Sequence, residues 1–393
     1  MTGFVDLFLD NTKTEESPTS FFRWAAYAGI AALLRDNTFI DRGSRKIYPN
    51  VYVLLLANSA DSRKSVPLDL IANLVTDVQN TKIIRGRTSI QAVIDTMADT
   101  QNPVGGKRIT GGSILLCADE LASFIVNDPS AVPLLTDLYD PRPDWRDNLR
   151  GTGTTKVKLN CVTMLAASNE THLKEVYTTL AVYGGLLGRT FFVRPNEFRK
   201  ADLMTNEPKP YQKQALLDSC LKISRLTGPA NLTIGALAEF NKWYEPLRES
   251  YKQKVDKTGV IGRVHTGVLK IALCLAAGQT YSLDIQQEHI EQAIDECMAL
   301  MPNYSSYAVG TGKASIAEAG AILLNDLWAA NGKCLNRKDF LFKHWTEVDA
   351  EILERLETTL ESAGMIQRQI SNANTTYIMT KRCSEIYQKE KGK

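Results

Sequence analysis

The sequence predicts an α/β protein: a mainly parallel sheet with helices on both faces, followed by an all-helical region and a small C-terminal unit. Three observations predict it. Across residues 46–200, short apolar runs alternate with helical stretches: "VYVLLL", "SIQAVIDTMADT", "GSILLCADE", "LNCVTMLAAS" and "RTFFVRP". Buried β-rich runs separated by helices are the pattern of strands covered on both faces by crossover helices. Residues 213–305 carry apolar positions at helical spacing, as in "HTGVLKIALCLAAG" and "EHIEQAIDECMALM". Residues 314–385 read as three helices and then a two-strand ribbon, "MIQRQI" and "TTYIMT".

The N-terminal helical segment, 1–45, contains a helix over residues 18–35 with a cap expected near Ser20. The stretch "FIDRGSRKIYPNVYVLLL" then reads as a hairpin leading into a buried strand. Two polar breaks, "NEFRKADLMTNEPKPYQK" and "NYSSYAVGTGKAS", separate the sheet core from the helical region and that region from the last unit. Three helices and a ribbon in that order suggest a winged helix for 314–385.

Composition bounds the rest. A chain of 393 residues has room for two or three domains. Its 46 basic and 44 acidic residues leave a net charge of +2, which excludes a histone-like basic coat but allows a local basic groove. Seven cysteines lie scattered without a C-x-x-C pair, as buried thiols in a reducing compartment do. The N-terminus "MTGFVDLFLDNTKTEESP" lacks the basic and apolar parts of a signal peptide. The apolar runs "WAAYAGIAALL" and "VLKIALCLAAG" fall short of the roughly 18 residues that suggest a membrane span. A cytoplasmic protein with no membrane partner is expected.

The stretch "ANSADSRKSV" after the first core strand puts Lys64 and Ser65 where a phosphate-binding loop places its Lys-Ser. The usual loop, G-x-x-x-x-G-K-[ST], uses glycine so that backbone N–H groups can curl around phosphates. Here Ala57, Asn58, Ala60 and Ser62 stand where glycine might. Asn58, Ser59, Ala60, Asp61, Ser62, Arg63, Lys64 and Ser65 are therefore the candidate nucleotide loop, with an ordinary strand-to-helix junction as the alternative. "ILLCADE" ends a second strand in Asp119-Glu120, an acidic pair able to hold Mg²⁺ (Asp119, with Ser65) and activate water (Glu120). A third strand ends in Ser168-Asn169, where Asn169 could hold water or the γ-phosphate. Arg189 stands just ahead of a fourth strand, placed to reach a neighbouring subunit's phosphate. Singly these are a cap, a turn residue and a surface charge. Their order along one sheet points to ATP and Mg²⁺.

In that order the chain resembles the AAA+ ATPases: a P-loop AAA+ parallel sheet core, an all-helical lid and a C-terminal winged helix. "GRVHTGVLKIALCLA" and "IQQEHIEQAIDECMALM" resemble the lid of MCM-type helicases, which implies that Arg263 is a nucleotide-sensing arginine. "YPNVYVLLLANSADSRKS", "ILLCADE" and "YGGLLGRTFFV" resemble the helicase-like ATPases of phages and plasmids that accompany a primase. The loop without glycine departs from the AAA+ pattern.

Two basic insertions are candidate DNA contacts: Lys107 and Arg108 in "NPVGGKRITGG", and Arg150, Lys156 and Lys158 in the hairpin "PRPDWRDNLRGTGTTKVKLN". Arg142 and Arg146 also lie on that hairpin, and Trp145 is available to stack on a base. The alternative is a solvated hairpin whose charges pair with Asp144 and Asp147. Arg337, Lys338, Lys343 and Arg368 of the last unit offer DNA or protein contacts equally. The resemblance implies an ATP-dependent, ring-forming (hexameric) DNA helicase or translocase of a phage or plasmid, acting on single-stranded or forked DNA in the host cytoplasm. A separate primase or polymerase would be its partner. The alternative is a nucleotide-switched loader for a separate helicase or primase, with little hydrolysis.

Overall fold

The computed structural model describes residues 2–58, 62–78, 81–86, 88–98, 112–128, 130–149, 153–170, 173, 185–197, 199, 209–252, 259–304, 313–330, 334–344, 348, 350–371 and 374–391. The chain divides into two compact units, Met1–Ala308 and Val309–Lys393.

The first unit opens with α1 (Phe4–Asn11) and α2 (Thr19–Leu34), whose Phe4, Phe8, Phe21, Phe22 and Trp24 enter the same apolar core as the sheet. Helix α2 starts after Pro18, not at Ser20. Proline's fixed φ sets the entry, and Ser20 Oγ instead donates to the Arg194 carbonyl at 3.1 Å. A hairpin, β1 (Thr38–Asp41) and β2 (Lys46–Ile47), leads into β3 (Tyr52–Leu56), every residue of which is buried. Then come α3 (Ser65–Val78), β4 (Lys82–Arg85), α4 (Ile90–Ala98), β5 (Gly112–Ala118), α5 (Leu121–Asn127), α6 (Ala131–Leu138), β6 (Pro143–Leu149), β7 (Gly153–Ser168) and β8 (Thr190–Val193).

The core sheet has the order β4-β5-β7-β3-β8, with every neighbouring pair parallel. The chain runs outward from β3 to β4, returns through β5 to β7 beside β3, and then crosses to β8 on the other side. Parallel strands put all carboxyl ends at one edge, and β3, between β7 and β8, is where the order turns. Strand β7 is long because its first half pairs antiparallel with β6, from Leu149↔Gly153 to Pro143↔Leu159, and its second half lies in the core sheet. The expected hairpin is thus an extension of a core strand beyond the amino edge.

Helices α7 (Pro210–Ser224), α8 (Ile234–Lys252), α9 (Val260–Gln279) and α10 (Gln287–Ala299) follow. The expectation of an all-helical region needs correction. Strands β9 (Gly228–Leu232) and β10 (Asp284–Ile285) pair in parallel, and β9 pairs with β1. Such short strands show no periodicity of their own, and their partner is far away in sequence. Helix α9 has 20 residues and is long and apolar enough to cross a membrane, which the shorter apolar run did not reveal. It is packed in the unit's core, where Val268, Ile271, Ala272 and Leu275 are fully buried.

The second unit contains α11 (Lys313–Ala329), β11 (Cys334–Asn336), α12 (Arg337–Lys343), α13 (Ala350–Ser362), β12 (Ile366–Ser371), β13 (Asn374–Met379) and α14 (Lys381–Lys391). Its antiparallel sheet has the order β11-β13-β12 over a core including Leu323, Leu327, Phe340, Leu356 and Tyr377. Beyond the expected ribbon, β11 adds a third strand.

Candidate active site

At the carboxyl edge, register sets the levels of the reacting groups. Leu56 of β3 pairs with Ser168 of β7, and Leu55 with Val193 of β8, while Ala118 of β5 pairs with Ala166. Glu120, two residues past Ala118, therefore reaches the level of Ser168. Ser168 Oγ donates to Glu120 Oε1, and the Asn169 N–H donates to Glu120 Oε2 at 3.3 Å. Glu120 also caps α5, accepting from the Ala122 N–H at 3.3 Å. Its carboxylate is thus fixed by the strand next to β3, which leads into the candidate loop. Asp119 is exposed beside it.

The loop after β3 places Lys64 with its ammonium 2.6 Å from the Ala57 carbonyl and 3.2 Å from that of Asn58. Ser65 begins α3, so it stands at a helix N-terminus, where backbone N–H groups and the helix dipole favour anions. Arg63 supplies the backbone turn that glycine would have made, with φ of 39°. That conformation is strained for a side chain. Its carbonyl accepts from Ser17 Oγ at 3.0 Å and its guanidinium pairs with Glu16, so the connection between α1 and α2 holds the turn in place. The hydroxyl of Ser62 is buried with no partner among the described residues. Ser59, Ala60 and Asp61 lie outside the described residues.

Sequence reasoning missed two residues at this edge. Arg194 follows β8, level with Leu56, and pairs with Glu170, which follows Asn169. An arginine at the carboxyl end of a strand is the same signal that singles out Asp119. The arginine at the strand's other end obscures it.

Arg189 and Arg263 lie at the opposite, amino edge. Arg189 directly precedes Thr190, which pairs with Tyr52 at the start of β3. The length of β3 alone, about 13 Å, separates it from the loop edge. Its side chain is 13% exposed, and its guanidinium donates to Asp140 Oδ2 at 2.9 Å and to the Gly185 carbonyl at 3.1 Å and lies 5.9 Å from the Tyr139 ring centre. Arg263 of α9 comes to the same place. A Cβ on Gly185 would stand 2.8 Å from Arg189 Nη1 and 3.5 Å from Arg263 Nη2. The close approach needs Gly188, where a Cβ would meet the Gly259 carbonyl oxygen at 2.5 Å. Arg263, expected to be a nucleotide-sensing arginine, thus stands beside Arg189 at the amino edge.

On the hairpin, Arg146 faces Lys156 across the ladder, and Lys158 lies two residues on, on the same face. All three are exposed, and none makes an ion pair among the described residues, with Asp144 and Asp147 or otherwise. Arg142 pairs with Asp137 at 3.1 Å. Trp145 is no stacking platform: it is 8% exposed, packs on the other face, and its indole donates to Asp137 Oδ2 at 2.7 Å. Lys107, Arg108 and Arg150 lie outside the described residues.

No family model matches the sequence, and no curated protein matches it. Among solved structures, it is similar to a full-length MCM homologue from Methanopyrus kandleri, at 14% identity and a TM-score of 0.43. The match covers 75% of this chain and 58% of that one, so the chain spans little more than half of that protein. A likeness of that order decides nothing about chemistry, which rests on the site.

The donor set suits a magnesium nucleotide. Ser65 and Asp119 are hard oxygen donors, and Mg²⁺ usually takes only one or two protein ligands beside phosphate oxygens and water. Lys64, the start of α3 and the unpartnered Ser62 hydroxyl are the groups a triphosphate needs beside it.

Proposed function

We propose that the chain is an ATP-hydrolysing AAA+-type motor that assembles into a ring, hexameric by resemblance, and moves on single-stranded or forked DNA. We place it in the replication of a phage or plasmid, in the host cytoplasm, beside a separate primase or polymerase. The observation that carries the reading is the division of charge over the two sheet edges. A triphosphate bound by Lys64 and Ser65 meets Asp119 and Glu120 of its own subunit. The guanidiniums of Arg189 and Arg263, a strand length away, face a different copy.

Lys64 neutralises phosphate charge, and Ser65 with Asp119 would hold Mg²⁺, which would supply further neutralisation of the phosphate oxygens. Glu120, aimed by Ser168 and the Asn169 N–H, takes the proton of the attacking water. Asn169 lies beside that water. The unpaired cations Arg146, Lys156 and Lys158 support the hairpin as a sequence-independent phosphate contact. The three-stranded C-terminal unit, with its helices in this order, supports a winged helix, and α7 to α10 serve as the lid.

Strand separation by the purified chain on a forked duplex, with ATP and Mg²⁺, tests the reading. ATP-dependent separation that is lost in Glu120→Gln is expected. Nucleotide-dependent DNA binding without separation would instead support a switch that loads another helicase.

A further inference from the structure

Lys270 is 2% exposed, in the middle of α9, and the nucleotide chemistry above does not use it. Its ammonium donates to the Asn50 carbonyl at 2.7 Å and to Asn50 Oδ1 at 3.0 Å, and stands 3.9 Å from the centre of the Tyr139 ring. Among the described residues no carboxylate forms an ion pair with it. A buried ammonium answered only by an amide and a ring face is costly to keep. Burial lowers its pKa to about 8, Asp140, Cys161 and Cys274 oppose that shift, and Arg189 adds to it.

What Lys270 holds explains the expense. Asn50 Nδ2 donates to the carbonyls of Tyr139 at 2.8 Å and Val162 at 3.2 Å, so the residue joins the end of α6 to β7. Tyr139 is followed by Asp140, the carboxylate that holds Arg189. Two residues later the Arg142 N–H donates to Asn160 Oδ1 at 2.8 Å, and Asn160 Nδ2 donates to the Leu138 carbonyl at 3.2 Å, tying both hairpin strands to the same segment. Arg263 lies two turns before Lys270 on the same face of α9. Hairpin base, Arg189 and the helix carrying Arg263 therefore meet at a single buried cation.

We propose that Lys270 is a positioning residue that couples DNA on the hairpin to the placement of Arg189 and Arg263. Displacement of the hairpin strands moves Asn160 and the Leu138–Arg142 segment. Tyr139 carries that movement to Asp140 on one side and, through the Lys270 ammonium and Asn50, to α9 on the other. The proposal rests on the reading of the hairpin as a DNA contact and of the two arginines as acting between copies. The groups around the cation are Tyr139 and Asp140 after α6, Arg189 before β8, Cys161 of β7 and Cys274 of α9 itself.

The test is Lys270→Met, which keeps an unbranched side chain of similar length without charge, in the full chain. ATP turnover with and without single-stranded DNA is followed across pH, alongside binding of a fluorescent ATP analogue and of labelled DNA. Expected are retained nucleotide and DNA binding, retained turnover without DNA, and loss of the stimulation by DNA. In the unsubstituted protein the stimulation falls as pH rises through about 8, where Lys270 loses its proton, and in the variant it is flat. A strap that only holds the fold together would lower both turnovers in parallel and show no such titration. Stimulation retained in Lys270→Met, or untouched by pH in the unsubstituted protein, overturns the proposal. Should Lys270→Met not fold, Asp140→Asn, at an exposed carboxylate, cuts the same connection and is expected to lose the stimulation; retained stimulation there also overturns it. An unsubstituted chain that binds no DNA or hydrolyses no ATP refutes the functional reading, and the proposal with it.

Discussion

At the carboxyl edge of the sheet, Asp119 and Glu120 follow a strand and Lys64 and Ser65 stand at the start of α3; Glu120 is held by Ser168 and the Asn169 N–H, and Lys64 by the Ala57 and Asn58 carbonyls. At the amino edge, Arg189 is nearly enclosed, Lys270 wholly so, and both are fixed by residues from several elements: Asn50, Tyr139, Asp140 and Gly185. The first edge sets Lys64 and a helix start beside a pair of carboxylates. The second is a rigid cationic face joined to a basic hairpin, with cations in excess of the carboxylate that holds them. One sheet thus carries two groups of charged residues that its own geometry keeps apart.

The comparison breaks first at Arg189. A guanidinium that meets transferring phosphate contributes about 10³–10⁵ in rate. Arg189→Ala is expected to keep ATP binding and lose turnover on that scale, measured by phosphate release against binding of a fluorescent analogue. Full turnover in the variant would make the amino edge structural only. Next comes Glu120→Gln, expected to keep nucleotide binding and lower turnover by about 10²–10⁴, the usual worth of a positioned base. A variant as fast as the unsubstituted chain would remove Glu120 from the chemistry.

How the sequence reports on these two edges differs for a physical reason. Asp119, Glu120 and Asn169 are legible because each closely follows an apolar strand, Lys64 because it stands with Ser65 where the next helix starts, and parallel strands share an edge. The parallel sheet itself is legible from four apolar runs, those of β3, β5, β7 and β8, whereas the edge strand β4 is only partly buried and gives no such run. Arg189 is legible as a residue of the amino edge, since it precedes a strand. The edge at which Arg263 stands is not legible from its motif, because where α9 docks depends on the Gly188–Gly259 contact, which no local pattern records. Trp145 misleads because strand alternation gives a face but not which face is covered. Strands β9 and β10 escape notice because their pairings, β9 with β1 and β10 with β9, are non-local.

A smaller effect sharpens the amino edge. The folded chain releases the Lys270 proton near pH 8, while the unfolded chain holds it to the ordinary 10.5. The unfolded state therefore binds more protons between those values. Stability rises as pH climbs through that window, by up to about 3 kcal/mol. Urea unfolding of the unsubstituted chain and Lys270→Met should differ by that rise. Parallel pH curves would place the ammonium in water.

The hairpin comes next. Replacing Lys156 and Lys158 with Ala should weaken binding to single-stranded DNA and flatten its salt dependence, by about 0.7 log unit for each phosphate no longer neutralised. An unchanged slope returns the hairpin to a solvated surface. The smallest effect on DNA is expected in the C-terminal unit. There Arg337 and Arg368 converge on the buried Glu357, Arg368 also binds Glu361, and Lys343 binds Asp326. Helix α13 exposes Glu354 and Glu361 against Arg355. Arg368→Ala should cost about 1–3 kcal/mol in the unit's unfolding and leave DNA affinity unchanged. A clear fall in affinity would show that these cations are not committed to the unit's own carboxylates.

The most direct test of the division between edges is to mix two inactive variants, Lys64→Ala and Arg189→Ala, and measure ATP turnover at concentrations where copies assemble. Each variant lacks one half of the site, so an interface pairing an intact loop with an intact arginine should hydrolyse ATP. The mixture should exceed the sum of its parts and lose that excess on dilution. A mixture that demonstrably co-assembles yet shows only the sum would contradict a site completed between copies.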